Sequence, residues 1–379
     1  MMLFRFSLGQ KRMVIGLMLA GLVAGSAWTQ ETGVQETGSQ GAGVATLHVY
    51  TNLMQIPVLV VSPMTPFHDP IEASLLVPFY DSIPPVESTR FSVSLDSDPP
   101  FPPTHVRREG EDPIQLAIVL DTSNLVTSLL SGMKGAAVGL AKGALHPQDR
   151  VSVYTLNCTL TSHALNIPPD AGELKQAMDE AMGTIGLGTG SNNQKARTGC
   201  GQVKPLLDAL REVTSDLNKV AGRRAIVVVT DGRDLSSKLT SEYVRYSAQD
   251  AAVTIFELTE RAEMPVALGS RRPPDSIPLN SVCESTGGLK LYTNRANLAR
   301  DLERIPTMLR ERYILEFPRP RGLTANRHDL KVTIAHSDAL VLPAGISVPL
   351  ASDKELATPV ISPADPARGS DVVTPKLRI

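Results

Sequence analysis

An excess of positive charge is missing from this 379-residue chain: 37 Lys and Arg stand against 39 Asp and Glu, a formal charge of −2. A protein that binds by neutralising phosphates needs a basic surface, so nucleic acid is excluded as a partner. Cysteine is equally sparse, and the three present (Cys158, Cys200, Cys283) match no common zinc-ligand spacing. Also missing are a His-Glu-x-x-His helix and a Gly-x-Ser-x-Gly elbow, and the seven histidines are scattered. The longest apolar run, Val14 to Val23, falls short of the ~20 residues that cross a bilayer.

What is present is an ordinary globular composition, 42% apolar and 20% charged, on a chain long enough for two or three domains. Residues 1–27 have the three parts of an export signal: Arg5, Lys11 and Arg12, then the short apolar run, then Gly25, Ser26 and Ala27. Cleavage after Ala27 is expected in preference to a membrane anchor, which leaves no membrane span. It removes three cations and no anion, taking the charge from −2 to −5. The chain is therefore expected outside the cytoplasm, in a periplasmic, cell-envelope or extracellular setting where disulfides persist. One pair, Cys158 with Cys200, and one free thiol is the simplest sum; three buried thiols is the alternative.

Residues 28–45, rich in Gly, Gln, Glu and Thr, predict a flexible linker. Residues 46–111 carry strand-like stretches at Thr46 to Val61 and Phe91 to Leu95, broken by prolines. A proline- and charge-rich stretch from Pro99 to Pro113 marks a boundary. After it, apolar runs alternate with helical periodicity. Ile114 to Leu120, Val151 to Leu156, Ala225 to Val229 and Val253 to Leu258 read as buried strands. Between them lie helical stripes such as Leu129–Met133–Leu140 and Leu206–Leu210–Val213–Leu217, and a last helix over Leu298 to Leu309, kinked or locally broken at Pro306. This alternation predicts an α/β fold with a doubly wound, mostly parallel sheet. Strands in 312–350 are expected to pair with 46–111 in a smaller β-sandwich-like subdomain, and 351–379 to form a disordered tail. Arg223, Arg224, Arg271, Arg272, Arg310, Arg312, Arg319 and Arg321 are expected on solvated faces.

In a doubly wound sheet the binding crevice lies beyond the carboxyl ends of the strands, where strand order reverses. Asp121 ends the first strand of the unit, and Thr230 and Asp231 follow the strand expected beside it. Hard oxygen ligands of this kind suit Mg²⁺ or Mn²⁺. The competing reading is that both aspartates merely cap turns, as Asp231-Gly232 suggests.

Asp121-Thr122-Ser123-Asn124-Leu125 after one apolar strand, Thr230-Asp231-Gly232 after another and Asp149-Arg150-Val151 between them resemble the von Willebrand factor type A (VWA) domain. Thr286-Gly287-Gly288 and the run Leu309 to Phe317 are similar to exported bacterial VWA-related proteins, with the VWA domain over 112–311. The resemblance implies a non-enzymatic protein-binding or adhesion module. Its metal-ion-dependent adhesion site would use Asp121, Ser123 and Asp231 and capture an acidic side chain of a protein partner. Here the site is degenerate: Leu125 stands in a serine position, Thr198 lies upstream of the expected threonine, and Lys204 falls where that threonine belongs. An ammonium at that point would repel a divalent ion and could partly replace it by pairing with Asp121 or Asp231. Two other readings compete: a metal-free structural or assembly module of the cell envelope, and a secreted Rossmann-type enzyme. Gly186-Leu187-Gly188-Thr189-Gly190, the best support for an enzyme, follows a helix and lacks a glycine at the sixth position of a dinucleotide loop.

Overall fold

The computed structural model describes residues 53–64, 79–82, 85–121, 127–185, 204–232, 234, 236–260, 279–320, 323–324 and 326–350. The expected export signal, linker and tail lie outside these residues. Four strands come first: β1 (Leu53–Met64), β2 (Phe79–Ser82), β3 (Phe91–Leu95) and β4 (His105–Arg108). An alternating region follows: β5 (Ile114–Asp121), α1 (Thr127–Gly143), β6 (Arg150–Leu156), β7 (Leu160–Ile167), α2 (Ala171–Ile185) and α3 (Leu206–Leu217). It continues through β8 (Arg223–Val229), α4 (Ser241–Asp250), β9 (Val253–Glu260), α5 (Leu279–Ser285), β10 (Lys290–Thr293) and α6 (Leu298–Glu311). The last strands are β11 (Tyr313–Pro318), β12 (Arg327–Ile334), β13 (Leu340–Pro343) and β14 (Ser347–Pro349).

Every residue of β5 and β8 is buried, which requires a sheet covered on both faces. The order is β10-β9-β8-β5-β6-β7, all neighbours parallel except the antiparallel β6–β7 pair. The apolar stripes of α1, α2 and α6, among them Leu129, Met133, Met178 and Leu302, share one core with Ile118 and Val227. Those of α3, α4 and α5, including Leu210, Val213, Val244 and Val282, share another with Val119 and Val228. The helix starts follow local chemistry. Asp170 Oδ1 accepts from the backbone N–H of Gly172 (2.7 Å) and Glu173 (2.9 Å), capping α2. From β5 the chain moves to β6 on one side and later returns to β8 on the other, so strand order reverses between β5 and β8.

The remaining strands form two antiparallel sheets, β13-β1-β11-β4 with β2 on β1, and β14-β12-β3. Val58, Leu315 and Phe317 of the first share a core with Phe91, Val93 and Val332 of the second. The fold is therefore the expected one, a doubly wound α/β sheet with a β-sandwich built from strands on either side of it in sequence. Strands β2, β4 and β7 arise where the sequence shows no strand pattern, and α6 runs through Pro306 without a break. Proline's fixed φ is helical, and one forgone hydrogen bond does not end the element.

Arginines expected on solvated faces are instead interior. Arg223 donates to the carbonyls of Gly110 (2.7 Å), Leu309 (3.3 Å) and Asp112, and Arg224 to those of Val220 and Ala251. Arg310 binds Asp149, whose other oxygen accepts from the Ile114 N–H at 2.8 Å. Asp149-Arg150-Val151 is thus a structural motif at the amino end of the sheet. Arg271, Arg272 and Arg321 lie outside the described residues.

In the sandwich, His328 Nδ1 lies 2.7 Å from Asp96 Oδ2, and the Asp96 hydrogen bond raises the imidazole above its ordinary value of 6.5. A base held charged in the folded state contributes stability that is complete below 6.5 and is lost as pH rises through its raised folded value. Urea unfolding is accordingly expected to show wild type losing stability from pH 6 to pH 9, with a smaller loss in Asp96→Asn. An equal loss in both would remove the pair from the account.

Candidate functional site at the sheet reversal

Asp121 is the last residue of β5, and Thr230 and Asp231 directly follow β8, its parallel neighbour. The two carboxylates meet on one ammonium. Lys204 Nζ lies 2.5 Å from Asp121 Oδ2 and also contacts Asp231 Oδ1. Thr230 Oγ1 donates to the same Asp121 oxygen at 2.5 Å and accepts from the Gly232 N–H at 3.1 Å. The cluster is secluded: the side chains of Asp121, Lys204 and Asp231 are 1%, 7% and 11% exposed.

Lys204 is held from the backbone outward. Its N–H donates to Ser236 Oγ at 2.8 Å, the Leu206 N–H to Asp234 Oδ1 at 3.1 Å and the Asp208 N–H to Ser237 Oγ at 3.0 Å. In return the Asp208 carboxylate accepts from the N–H groups of Lys238 and Leu239. Two of these bonds satisfy the open N–H groups of Leu206 and Asp208 at the start of α3, which has no side-chain cap of its own, and tie it to the segment after Asp231.

A second lysine pairs with a single buried carboxylate one strand over. Glu257 of β9 is fully buried, and Lys290 Nζ of β10 lies 2.8 Å from its Oε1. Burial raises the Glu257 carboxyl, and Lys290 opposes that shift. Gly232, at φ +75°, fits because a Cβ there would lie 3.0 Å from Glu257 Oε1. The sequence does carry a signal for this pair: an ionisable residue between Phe256 and Leu258 in a buried strand needs a partner.

Of the expected ligands, the structure brings Asp121 and Asp231 together. Ser123, Leu125 and Thr198 lie outside the described residues. Among the described residues no group of three or more His, Cys, Asp or Glu is arranged to hold a metal ion. The described residues do not fit Mg²⁺ or Mn²⁺, because the Lys204 ammonium sits between the carboxylates that would bind the ion. Cys158 is disulfide-bonded, whereas Cys283 is a free, buried thiol. Cys200 lies outside the described residues. No described helix is long and apolar enough to cross a membrane.

Neither a family model nor a curated protein matches this chain. Solved structures similar to it include a von Willebrand factor type A protein from Catenulispora acidiphila, at TM-score 0.38 and 12% identity over 72% of this chain and 77% of that one. An aerotolerance-related membrane protein from Bacteroides fragilis gives TM-score 0.37 and 15% identity over 52% and 98%. Proximal thread matrix protein 1 of the mussel byssus, with a zinc-occupied adhesion motif, gives 0.36 and 12% over 53% and 49%. Scores this low do not define a fold. The strand order itself shows a doubly wound sheet that reverses between β5 and β8, with Asp121 and Asp231 meeting across the reversal on Lys204.

Proposed function

We propose that the chain is a non-enzymatic, exported binding module that engages a protein partner at the carboxyl end of its parallel sheet. The observation that carries this reading is the convergence of Asp121, Asp231 and Lys204 at the strand-order reversal, the place where open α/β sheets form their binding crevice. Both carboxylates are committed to an internal cation, so neither is placed as a general base. Between metal-dependent adhesion and a metal-free assembly module of the cell envelope, Lys204 favours the second. Recognition then runs through the surrounding loop surface, where Ser236, Lys238 and Thr240 are exposed.

A photo-crosslinking amino acid at Lys238 is expected to give a discrete protein adduct in the producing cell. The same group at Gln148, exposed beside the amino end of β6, is expected to give none. Adducts from position 148 alone, or catalytic turnover abolished by Asp121→Ala, would overturn the proposal.

A further inference from the structure

We infer that Lys204 is a built-in cation: the chain fills with its own ammonium the place that a divalent metal would take between Asp121 and Asp231, and thereby closes that place to metal. The inference concerns the crevice of the proposed binding function but does not depend on it, since the test below needs no partner.

Two secluded carboxylates on adjoining strands repel each other unless a cation lies between them. Lysine supplies three donors and no acceptor. One reaches Asp121 Oδ2 and another Asp231 Oδ1, while Thr230 Oγ1 adds a further donor to the same Asp121 oxygen at 2.5 Å. Magnesium would require those oxygens at about 2.0 Å together with further oxygens in near-octahedral array. The ammonium excludes such a shell by volume and repels the ion by charge.

The position of Lys204 is set by its backbone, not by chance reach of a long side chain. Its own N–H and those of Leu206 and Asp208 are bonded to Ser236, Asp234 and Ser237, on the segment that begins at Asp231. The ammonium and one of its carboxylates are therefore fixed by a common scaffold. Next to them, Lys290 pairs with the buried Glu257 carboxylate, so a second carboxylate at this end of the sheet also has its counter-charge within the chain. A lysine leaves no open coordination position, so a partner's acidic side chain has no metal to ligate. Recognition at this face then proceeds in the presence of a chelator.

The test is thermal unfolding of the mature protein with and without Mn²⁺, for wild type, Lys204→Met and the double variant Lys204→Met, Asp231→Asn. Methionine keeps the length and packing of the stem and removes the charge. The wild-type midpoint is expected not to move with Mn²⁺. Lys204→Met is expected to melt several degrees lower without metal and to recover with increasing Mn²⁺. The double variant, which relieves the repulsion, is expected to recover without metal and to ignore Mn²⁺. Should Lys204→Met fail to fold, its recovery is read by refolding in Mn²⁺. A wild-type midpoint raised by Mn²⁺ and insensitive to it in Asp231→Asn would overturn the inference. So would a Lys204→Met variant as stable as wild type, or one that Mn²⁺ does not restore.

Discussion

Arg312→Ala is expected to destabilise the fold by about 3 to 5 kcal/mol, the cost of leaving one member of a buried ion pair without its partner. The guanidinium donates to Glu109 Oε2 at 2.7 Å through Nε and to Oε1 at 3.0 Å through Nη2, while Nη1 reaches Thr254 Oγ1 at 2.7 Å. Arg312 and Glu109 are 4% and 6% exposed, so water cannot replace what is removed. The pair also sits at a structural junction. Arg312 joins α6 to β11, Glu109 follows β4, and Thr254 belongs to β9, so one side chain binds the sandwich to the parallel sheet. Lysine at this position has neither the two-pronged geometry nor the third contact and recovers only part of the loss. Arg312→Met combined with Glu109→Gln removes the stranded charge and is expected to lie closer to wild type than Arg312→Ala. Urea unfolding of the three variants gives the ranking, and a near-neutral Arg312→Ala would refute the junction.

The parallel strands were legible because burial on both faces leaves a continuous apolar run, as in Ile114 to Leu120 and Ala225 to Val229. The helices were legible from their stripes, and Asp121 and Asp231 from the rule that places the crevice at strand ends. Strand β7 escaped because no residue of it is fully buried, so alternation is absent from Leu160–Ile167. Strand β4 escaped because three residues of His105–Arg108 are exposed. The arginines misled for a different reason. A guanidinium that satisfies backbone carbonyls in the interior has no periodic signature, and Arg223, which binds Gly110, Asp112 and Leu309, resembles a solvated cation until the fold is known. Lys204 was reachable by aligning the start of α3, yet its anchoring through Asp234, Ser236 and Ser237 depends on tertiary contacts alone. Sequence pattern locates the crevice; the third dimension shows which cation occupies it.

Gly288→Ala is expected to be the most damaging added methyl among the described glycines, at more than about 3 kcal/mol, beyond ordinary overpacking of a core. A Cβ on Gly288 would lie 2.0 Å from the carbonyl oxygen of Ile255 and 2.8 Å from its carbonyl carbon, both backbone atoms that cannot rotate away. The approach is this close because Thr286-Gly287-Gly288 ends α5 and docks it on β9 in one turn. The Gly288 N–H bonds Cys283 O at 2.9 Å and the Gly287 N–H bonds Glu284 O at 3.1 Å. With Gly287 at φ +77°, these form a Schellman cap. The Thr286 hydroxyl meanwhile accepts the Ile255 N–H at 3.1 Å. Relieving the clash means parting α5 from β9, which also carries Glu257 and, through β10, Lys290. Gly287→Ala, strained by its left-handed φ and by Ala344 Cα at 3.0 Å, is expected to cost less. Gly135→Ala, inside α1 with nothing within 4 Å of its added methyl, is expected to stabilise by about 0.5 to 1 kcal/mol. Chemical unfolding of the three should therefore order them Gly135→Ala, Gly287→Ala, Gly288→Ala from most to least stable. A Gly288→Ala protein that unfolds with wild type would mean that α5 does not sit against β9 as described.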